Sequence, residues 1–496
     1  MLTDLPLFVS LIVAYAFVLA TWRRRRDPIH SIKTVGQSAP LLSYIGAYRF
    51  LINAEELLRE GYHKFKGSTF KIAAMDRWIV IVNGPTMVEE LRSLPDEKAS
   101  FMHAIGEIVQ PDYTLGFNTH METYHVSLVR ERLNRNLGNL LPGVTEELEL
   151  AMDEYIPMRG DEWTPVNGFS LMQRIIGRTA SRVLVGAPTC RDTDYIDLSV
   201  NFLNDAVRER VLLSLFPPAL KPCIGFFMNG AHRTSKRAAG HLKHIIEERL
   251  QTLRDLGDDW LERPNDMLMW LIEEAQGEAE PLKEVIKRVL ALNFAAMSTT
   301  ANSAIHALYH LVDNREVAQI LLQEAESTIE ESGWTKSAFS RMTKLDSFLK
   351  ESQRFNGHNG MGIVRMTLDE VTLSDGTRIP KGTIVGAGAS SMHWDQELYA
   401  EPDKFDPFRF HRISQDGDAK VGFASPLSEY IAFGRGRHAC PGRFFADVVL
   451  KAILSYVVLH YDVKFEDELM RPKNKWVGPA VTPDQHVTIL FRKRRL

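Results

Sequence analysis

One cysteine, in the stretch FGRGRHACPGRFF (residues 433–445), constrains this chain more than any other feature. It is Cys440, and only Cys190 and Cys223 accompany it in 496 residues. An odd count with no Cys-x-x-Cys and no close pair argues against a disulfide framework and against a structural zinc site. The bulk of the chain therefore belongs in a reducing compartment. Thiolate is the useful state of a cysteine, as nucleophile or as metal ligand. Pro441 suits the first position of a helix, and RFFADVVLKAILSYVVLHY continues it with helical periodicity. Cys440 is then expected at a helix N-terminus, where free amides and the positive dipole end stabilise a sulfur anion. Gly434, Gly436 and Gly442 let backbone approach something flat and close. Arg435, Arg437 and His438 add positive charge able to meet carboxylates, and Phe433 offers an aromatic face.

Three readings compete. A buried free thiol is the plainest. A cysteine hydrolase would need a partner histidine and an oxyanion site. Glycines, cations and an aromatic before a lone cysteine fit better a thiolate that holds a large, planar, anionic cofactor, of which haem is the obvious one.

At the other end, LPLFVSLIVAYAFVLATW (residues 5–22) carries no charge, and Arg23, Arg24, Arg25 and Arg26 follow at once. Eighteen residues at helical rise span ~27 Å, close to the ~30 Å hydrocarbon core of a bilayer. Four arginines belong on the cytoplasmic side, so the short N-terminus faces the lumen. Charges after the apolar run, and no clear small-x-small site, favour an uncleaved signal anchor over a cleaved signal peptide. The expected organisation is an anchor over residues 1–26, a proline-containing linker over 27–43 and one catalytic domain over 44–496. STFKIAAMDRWIVIVNGP reads as two strands around a turn. From Pro85 to Asp346 the pattern is mostly helical. Strand signals return between Glu370 and Val385, with Asp375-Gly376 as a hairpin turn. The fold class expected is mainly α with small β-sheets. A formal net charge of −4, with no Lys/Arg-aromatic pattern, gives no sign of nucleic-acid binding.

FGRGRHACPGR resembles the haem-binding loop of the cytochrome P450 family, Phe-x-x-Gly-x-(Arg/His)-x-Cys-x-Gly. Phe433, Gly436, His438, Cys440 and Gly442 fill its five fixed places. The resemblance implies a P450 fold, haem b with Cys440 as axial iron ligand, His438 near a propionate and Phe433 packed beside the thiolate. KESQRFNG holds Glu351 and Arg354 at a spacing of three, which alone reads as a surface pair. It resembles the Glu-x-x-Arg of the family's K helix, and EPDKFDPFRF resembles the segment whose arginine, here Arg409, joins that pair in a buried structural triad. AAMSTT, in the apolar helix Val289 to Val312, is similar to the family's oxygen-side motif. There Thr299 matches the alcohol that steadies oxygen and passes protons, with Ser298 and Thr300 beside it. Ser298 stands where the family usually has an acid, which points to a water or hydroxyl proton route. Arg365 matches an arginine often set on a haem propionate. Arg130 is carried over from a Trp-x-x-x-Arg pattern in which Val126 replaces the tryptophan.

These matches imply an endoplasmic reticulum monooxygenase, single-pass with a cytosolic catalytic domain. It would use O2 and electrons from NADPH through NADPH-cytochrome P450 reductase, docked on the basic side of the cysteine loop. The substrate expected is lipophilic. GRHACPGRFFA and AAMSTT look most like fungal terpenoid-oxidising members related to ent-kaurene oxidase. Phe294, Met297 and the loop Trp476 to Val481 are expected pocket walls. The stretch Asn201 to Leu250 should hold access helices, with SLFPPALKPCIGFFMNGAH dipping into the membrane surface. A haem-thiolate isomerase or dehydratase, and a non-enzymatic haem sensor, remain as alternatives.

Overall fold

A computed structural model describes residues 15, 18, 27–39, 41–115, 122–158, 160–216, 218–228, 230–416, 421–466 and 471–495. The apolar run at 5–22 and its arginines fall almost wholly outside them. Among the described residues no helix is long and apolar enough to cross a membrane.

The expected two strands are β2 (Thr69–Ala73) and β3 (Trp78–Val82), paired antiparallel with Thr69 opposite Val82. Five of their residues are β-branched Ile or Val, which suit a pleated buried surface. β1 (Thr34–Val35) adds to β2 in parallel, and buried Lys71 of β2 donates to the carbonyls of Ile29 and Ile32 at 2.8 and 2.7 Å. With β4 (Ala99–Ser100), β6 (Gly362–Thr367) and β9 (Ile384–Ala387) these strands form a six-stranded sheet in the order β1-β2-β3-β9-β6-β4. β7 (Val371–Thr372) and β8 (Arg378–Ile379) are the small hairpin around Asp375-Gly376, where Gly376 takes φ +82°. β5 (Thr164–Asn167) joins β10 (Tyr461–Phe465) and β13 (Thr488–Lys493), while β11 (Lys475–Val477) and β12 (Ala480–Thr482) make a separate hairpin.

The rest is mainly helical. The central helix, Pro281–Asp313, has a proline in its first turn and packs against helices Gly168–Leu184, Thr193–Ser214, Gly230–Leu256, Thr343–Asn356 and Arg443–His460. A continuous apolar core surrounds it, with Ile305, Leu308 and Leu311 buried along its length. Two surfaces break the rule of apolar-inside. Helix Ser43–Ile52 exposes Tyr44, Ile45, Tyr48 and Ile52, and helix Lys221–Phe227 ends on Phe226 and Phe227, 79% and 81% exposed.

Candidate haem site

Cys440 leaves the loop just ahead of helix Arg443–His460. The helix begins at Arg443, with Gly442 as its N-cap, and Pro441 stands ahead of it rather than at its first position. That offset leaves the N–H groups of Gly442 and Arg443 facing the sulfur, where they favour its anion against burial, which holds the thiol pKa above its ordinary value. The loop backbone is closed by Cys440 N–H to Phe433 O at 2.8 Å, Gly434 N–H to Ile431 O at 2.9 Å and Ala439 N–H to Gly436 O at 3.0 Å. Gly434 and Gly436 sit at φ +66° and +72°, and a Cβ at Gly436 would come within 2.7 Å of Arg92. Gly442 has no such demand from its protein neighbours: a Cβ there meets nothing within 4 Å. Phe433 packs edge-on against Phe423, ring centres 5.1 Å apart.

The loop cations already have partners. Arg435 pairs with Glu89 at 3.0 Å, Arg437 with Asp96 at 3.4 Å, and His438 Nε2 lies 2.8 Å from an Asp96 oxygen. Burial pulls the His438 imidazole pKa down against the opposing pull of Asp96. Arg130 lies in a short π-helix, Leu128–Leu133, and donates to Arg437 O at 3.1 Å from an exposed position.

Arg365 behaves differently. Its sequence setting allows an exposed strand residue, yet it is fully buried on β6. One nitrogen donates to Val364 O at 2.8 Å, while Nε has no partner. Burial drags its pKa down to about 10. A buried cation with an orphaned donor calls for an anion.

On the central helix, Ala295 and Thr299 are exposed although the helix between its two ends is otherwise enclosed. They stand one turn apart on one face and open a window of small side chains. Thr299 Oγ1 donates back to Ala295 O at 3.2 Å. Ser298 is half-buried beside the window and Thr300 is buried in the core. Met297, expected as a pocket wall, is instead buried against Gly177 of helix Gly168–Leu184, because it lies on the opposite face. Phe294 is half-buried and packs on the core.

Glu351, Arg354 and Arg409 form a closed buried network, not a surface pair. Arg354 donates to both Glu351 oxygens at 2.8 Å, to His393 O at 2.6 Å and to Pro402 O at 3.0 Å. Arg409 Nε shares both Glu351 oxygens at 3.2 Å and its fork reaches Ala400 O at 2.6 Å. The Asp406 N–H adds a further bond to Glu351 at 3.0 Å.

Two supports escaped the sequence. His393, whose carbonyl takes Arg354, accepts the Ile431 N–H at 3.2 Å, so the network reaches the cysteine loop in one more step. Asp346, bridged to Lys451 at 2.9 Å, takes the Phe423 N–H at 2.9 Å and so holds the ring that braces Phe433. Both link residues far apart in the chain, and only their own buried polarity hinted at them. Further along the window face, Ser303 Oγ lies 3.3 Å from His358 Nε2. The atoms around that contact include His358 Nδ1, Gln353 Oε1 and His306 Nε2, all buried without partners.

A thiol under two amides, an orphaned buried arginine and a small-residue window on the longest enclosed helix suit a planar dianionic cofactor with an iron centre. Together with a mainly helical fold and small sheets, these are the groups a haem-thiolate protein would use. The cytochrome P450 family model matches residues 38–491. Cytochrome P450 monooxygenase 151 of Postia placenta is 44% identical, with all of both chains covered. Ent-kaurene oxidase P450-4 of Gibberella fujikuroi is 31% identical over 90% of this chain and 89% of its own. Among solved structures, retinoic acid-bound cyanobacterial CYP120A1 superposes with a TM-score of 0.70 at 19% identity, covering 93% of this chain and 99% of that one.

The chain belongs to the cytochrome P450 family. It is a P450 monooxygenase of a family that carries haem b on a cysteine thiolate and takes electrons from a reductase.

Proposed function

We propose that this protein hydroxylates, or oxidises further, a lipophilic terpenoid-like molecule. Cys440 would hold the haem iron through its sulfur, where the Gly442 and Arg443 amides favour the anion against its burial. Those two converging N–H groups are the observation that carries the reading. Arg365, with its buried Nε unpartnered, would meet a carboxylate of the haem. His438 and Arg130 would help to hold the haem carboxylates, with Asp96 as the group His438 would release or share. When bound, the haem supplies dioxygen activation and oxygen transfer to carbon.

The protein's own work is positioning and proton control. Ala295 keeps the window clear and Thr299 presents a hydroxyl into it. No carboxylate stands at Ser298, so protons pass by hydroxyl and imidazole: Thr299, then Ser303 one turn on, then His358. The unpartnered buried atoms around His358 suit bridging waters. Electrons come from NADPH-cytochrome P450 reductase, which docks over Arg130 and the outer side of the cysteine loop. Residues 1–26 anchor the chain in the endoplasmic reticulum membrane with the catalytic domain cytosolic. The exposed Phe226 and Phe227 are suited to that membrane's surface.

The test is spectroscopic, then chemical. Reduced protein with carbon monoxide should give the red-shifted Soret band of thiolate ligation, and Cys440→Ala should lose it. Microsomes holding protein and reductase should convert one of a panel of diterpene and triterpene scaffolds. A folded sample without the band would overturn the haem assignment, and turnover of fatty acids alone would overturn the terpenoid one.

A further inference from the structure

A cavity of about 150 Å³ lies between helix Ser43–Ile52, the β2–β3 turn, helix Phe101–Val109, the end of helix Thr193–Ser214 and the β11–β12 turn. Its apolar walls include Phe50, Ile79, Met361, Val364 and Val477. It is flanked by both exposed apolar surfaces: helix Ser43–Ile52 contributes Ala47, Phe50 and Leu51 to the lining, and Lys221 of the Phe226–Phe227 helix bonds to Asp76 in the wall. Such a position suits a route between lipid and the interior.

With Lys221 behind the wall counted in, the charges around the cavity do not balance. Asp76 and Glu107 are the acids lining it, and both are engaged. Arg77 bridges them, at 3.0 Å to Asp76 and 2.8 Å to Glu107, and Lys221 takes Asp76 again at 2.6 Å. The Asp76 carboxyl is correspondingly held below its ordinary range by Arg77 and Lys221, against its burial. Two acids therefore meet two cations. The third cation, Arg210, lines the same cavity, and among the described residues it has no hydrogen bond, ion pair or ring contact. Burial lowers its pKa with no anion to oppose it. A second polar group in the wall is also unsatisfied. Gln110 keeps its buried amide oxygen without a partner, while its NH2 donates to Glu107 O at 3.4 Å. Its amide turned over would exchange that long bond for an N–H directed toward the cavity.

We propose that Arg210 and Gln110 form an anion subsite that takes the carboxylate of a lipophilic acid substrate, while the apolar wall beside it takes the adjoining part of the skeleton. This deepens the reading of a lipophilic substrate and rests on it. A guanidinium fork matches a carboxylate with two parallel bonds, and the Gln110 amide adds a third donor. A neutral terpene would leave an unpaired arginine and an orphaned amide oxygen facing carbon.

The same chemistry has a second source, an anionic phospholipid headgroup, so the test separates the two. Abietic acid and methyl abietate are titrated into the holoprotein in neutral phosphatidylcholine vesicles, following the substrate-induced shift of the haem spectrum. The acid is expected to bind about 10-fold to 100-fold more tightly than the ester, in keeping with a charge-assisted bond lost. Arg210→Gln should erase that ratio while the ester's Kd stays within about twofold, and Arg210→Lys should restore part of it. Gln110→Glu, which supplies Arg210 with its own anion, should also erase it. An equal Kd for acid and ester in the wild type, or a ratio unchanged in Arg210→Gln, overturns the subsite. So does an acid preference abolished by adding phosphatidic acid to the vesicles, since the headgroup would then be the natural anion. The carbon monoxide band reports separately on the haem assignment and stays in every one of these variants.

Discussion

Replacing Glu351 with glutamine tests the route by which the fold holds its cysteine. The carboxylate accepts two bonds from Arg354, a shared one from Arg409 and one from the Asp406 amide, with no exposure to water. Glutamine keeps the shape but removes the charge and turns an NH2 toward two guanidinium groups. Stripping one partner from a buried ion pair costs ~3–5 kcal/mol, because the remaining charges stay buried. For ~450 ordered residues, an unfolding entropy of ~2.1 cal/mol/K per residue turns this into a Tm lower by ~3–5 °C. The larger effect should be on cofactor retention. Arg354 is bonded to His393 O, His393 to the Ile431 amide and Ile431 O to the Gly434 amide, so a shifted Arg354 moves the loop that carries Cys440. Purified Glu351→Gln should have haem content and reduced carbon monoxide band each below a third of wild type at equal protein. Arg378→Gln, which breaks an exposed pair with Glu370, is the control and should shift Tm by less than about 1 °C. Wild-type haem content in Glu351→Gln, with Tm within 1 °C by the same scan, would refute the chain of contacts from triad to loop.

Two further outcomes follow from buried charge. Burial holds His125 and His358 down at pKa about 4 and His393 at about 3, against an ordinary 6.5. The unfolded chain then binds protons below pH ~6.5 that the folded one refuses, so stability falls on acidification, by up to ~1.4 kcal/mol per pH unit for each histidine. Thermal scans from pH 7.5 to 5.0 should show Tm declining below pH 6.5, and a Tm flat or rising toward pH 5 would contradict it. Arg365→Met should act in opposite directions on the two forms of the protein. It removes an unpaired buried cation from the apoprotein, raising its Tm, while weakening the holoprotein's grip on haem, read as faster transfer of haem to apomyoglobin. A faster transfer without the apoprotein gain would place Arg365's partner within the protein.

Local pattern carried much of the architecture. The β2–β3 pair, the Asp375-Gly376 hairpin and the central helix are written in alternation, turn chemistry and apolar periodicity, all of which act over a few residues. The Glu351–Arg354 spacing was equally visible, but on periodicity alone it read as a surface pair, and only family resemblance pointed to its burial and to Arg409. Side-chain direction was less legible. Met297 and Thr299 are two residues apart in one apolar helix, yet one is buried against Gly177 and the other opens into the window. Choosing between them requires knowing which helices surround that segment. The cations of the cysteine loop raised a similar difficulty, since Glu89 and Asp96, more than 300 residues away, already occupy Arg435, Arg437 and His438. The helix after Cys440 was right in kind and early by two residues, because the cap falls at Gly442 and leaves its amides to the sulfur.

The window at Ala295 and Thr299 lies on the central helix, whereas the triad, His393 and the Asp346–Lys451 bridge brace the cysteine loop from elsewhere. The bonds that retain the sulfur and the side chains that face the window are thus carried by different residues. A lineage of such enzymes can retool what it accepts by altering a few window and channel side chains, without renegotiating the bonds that keep the sulfur in place.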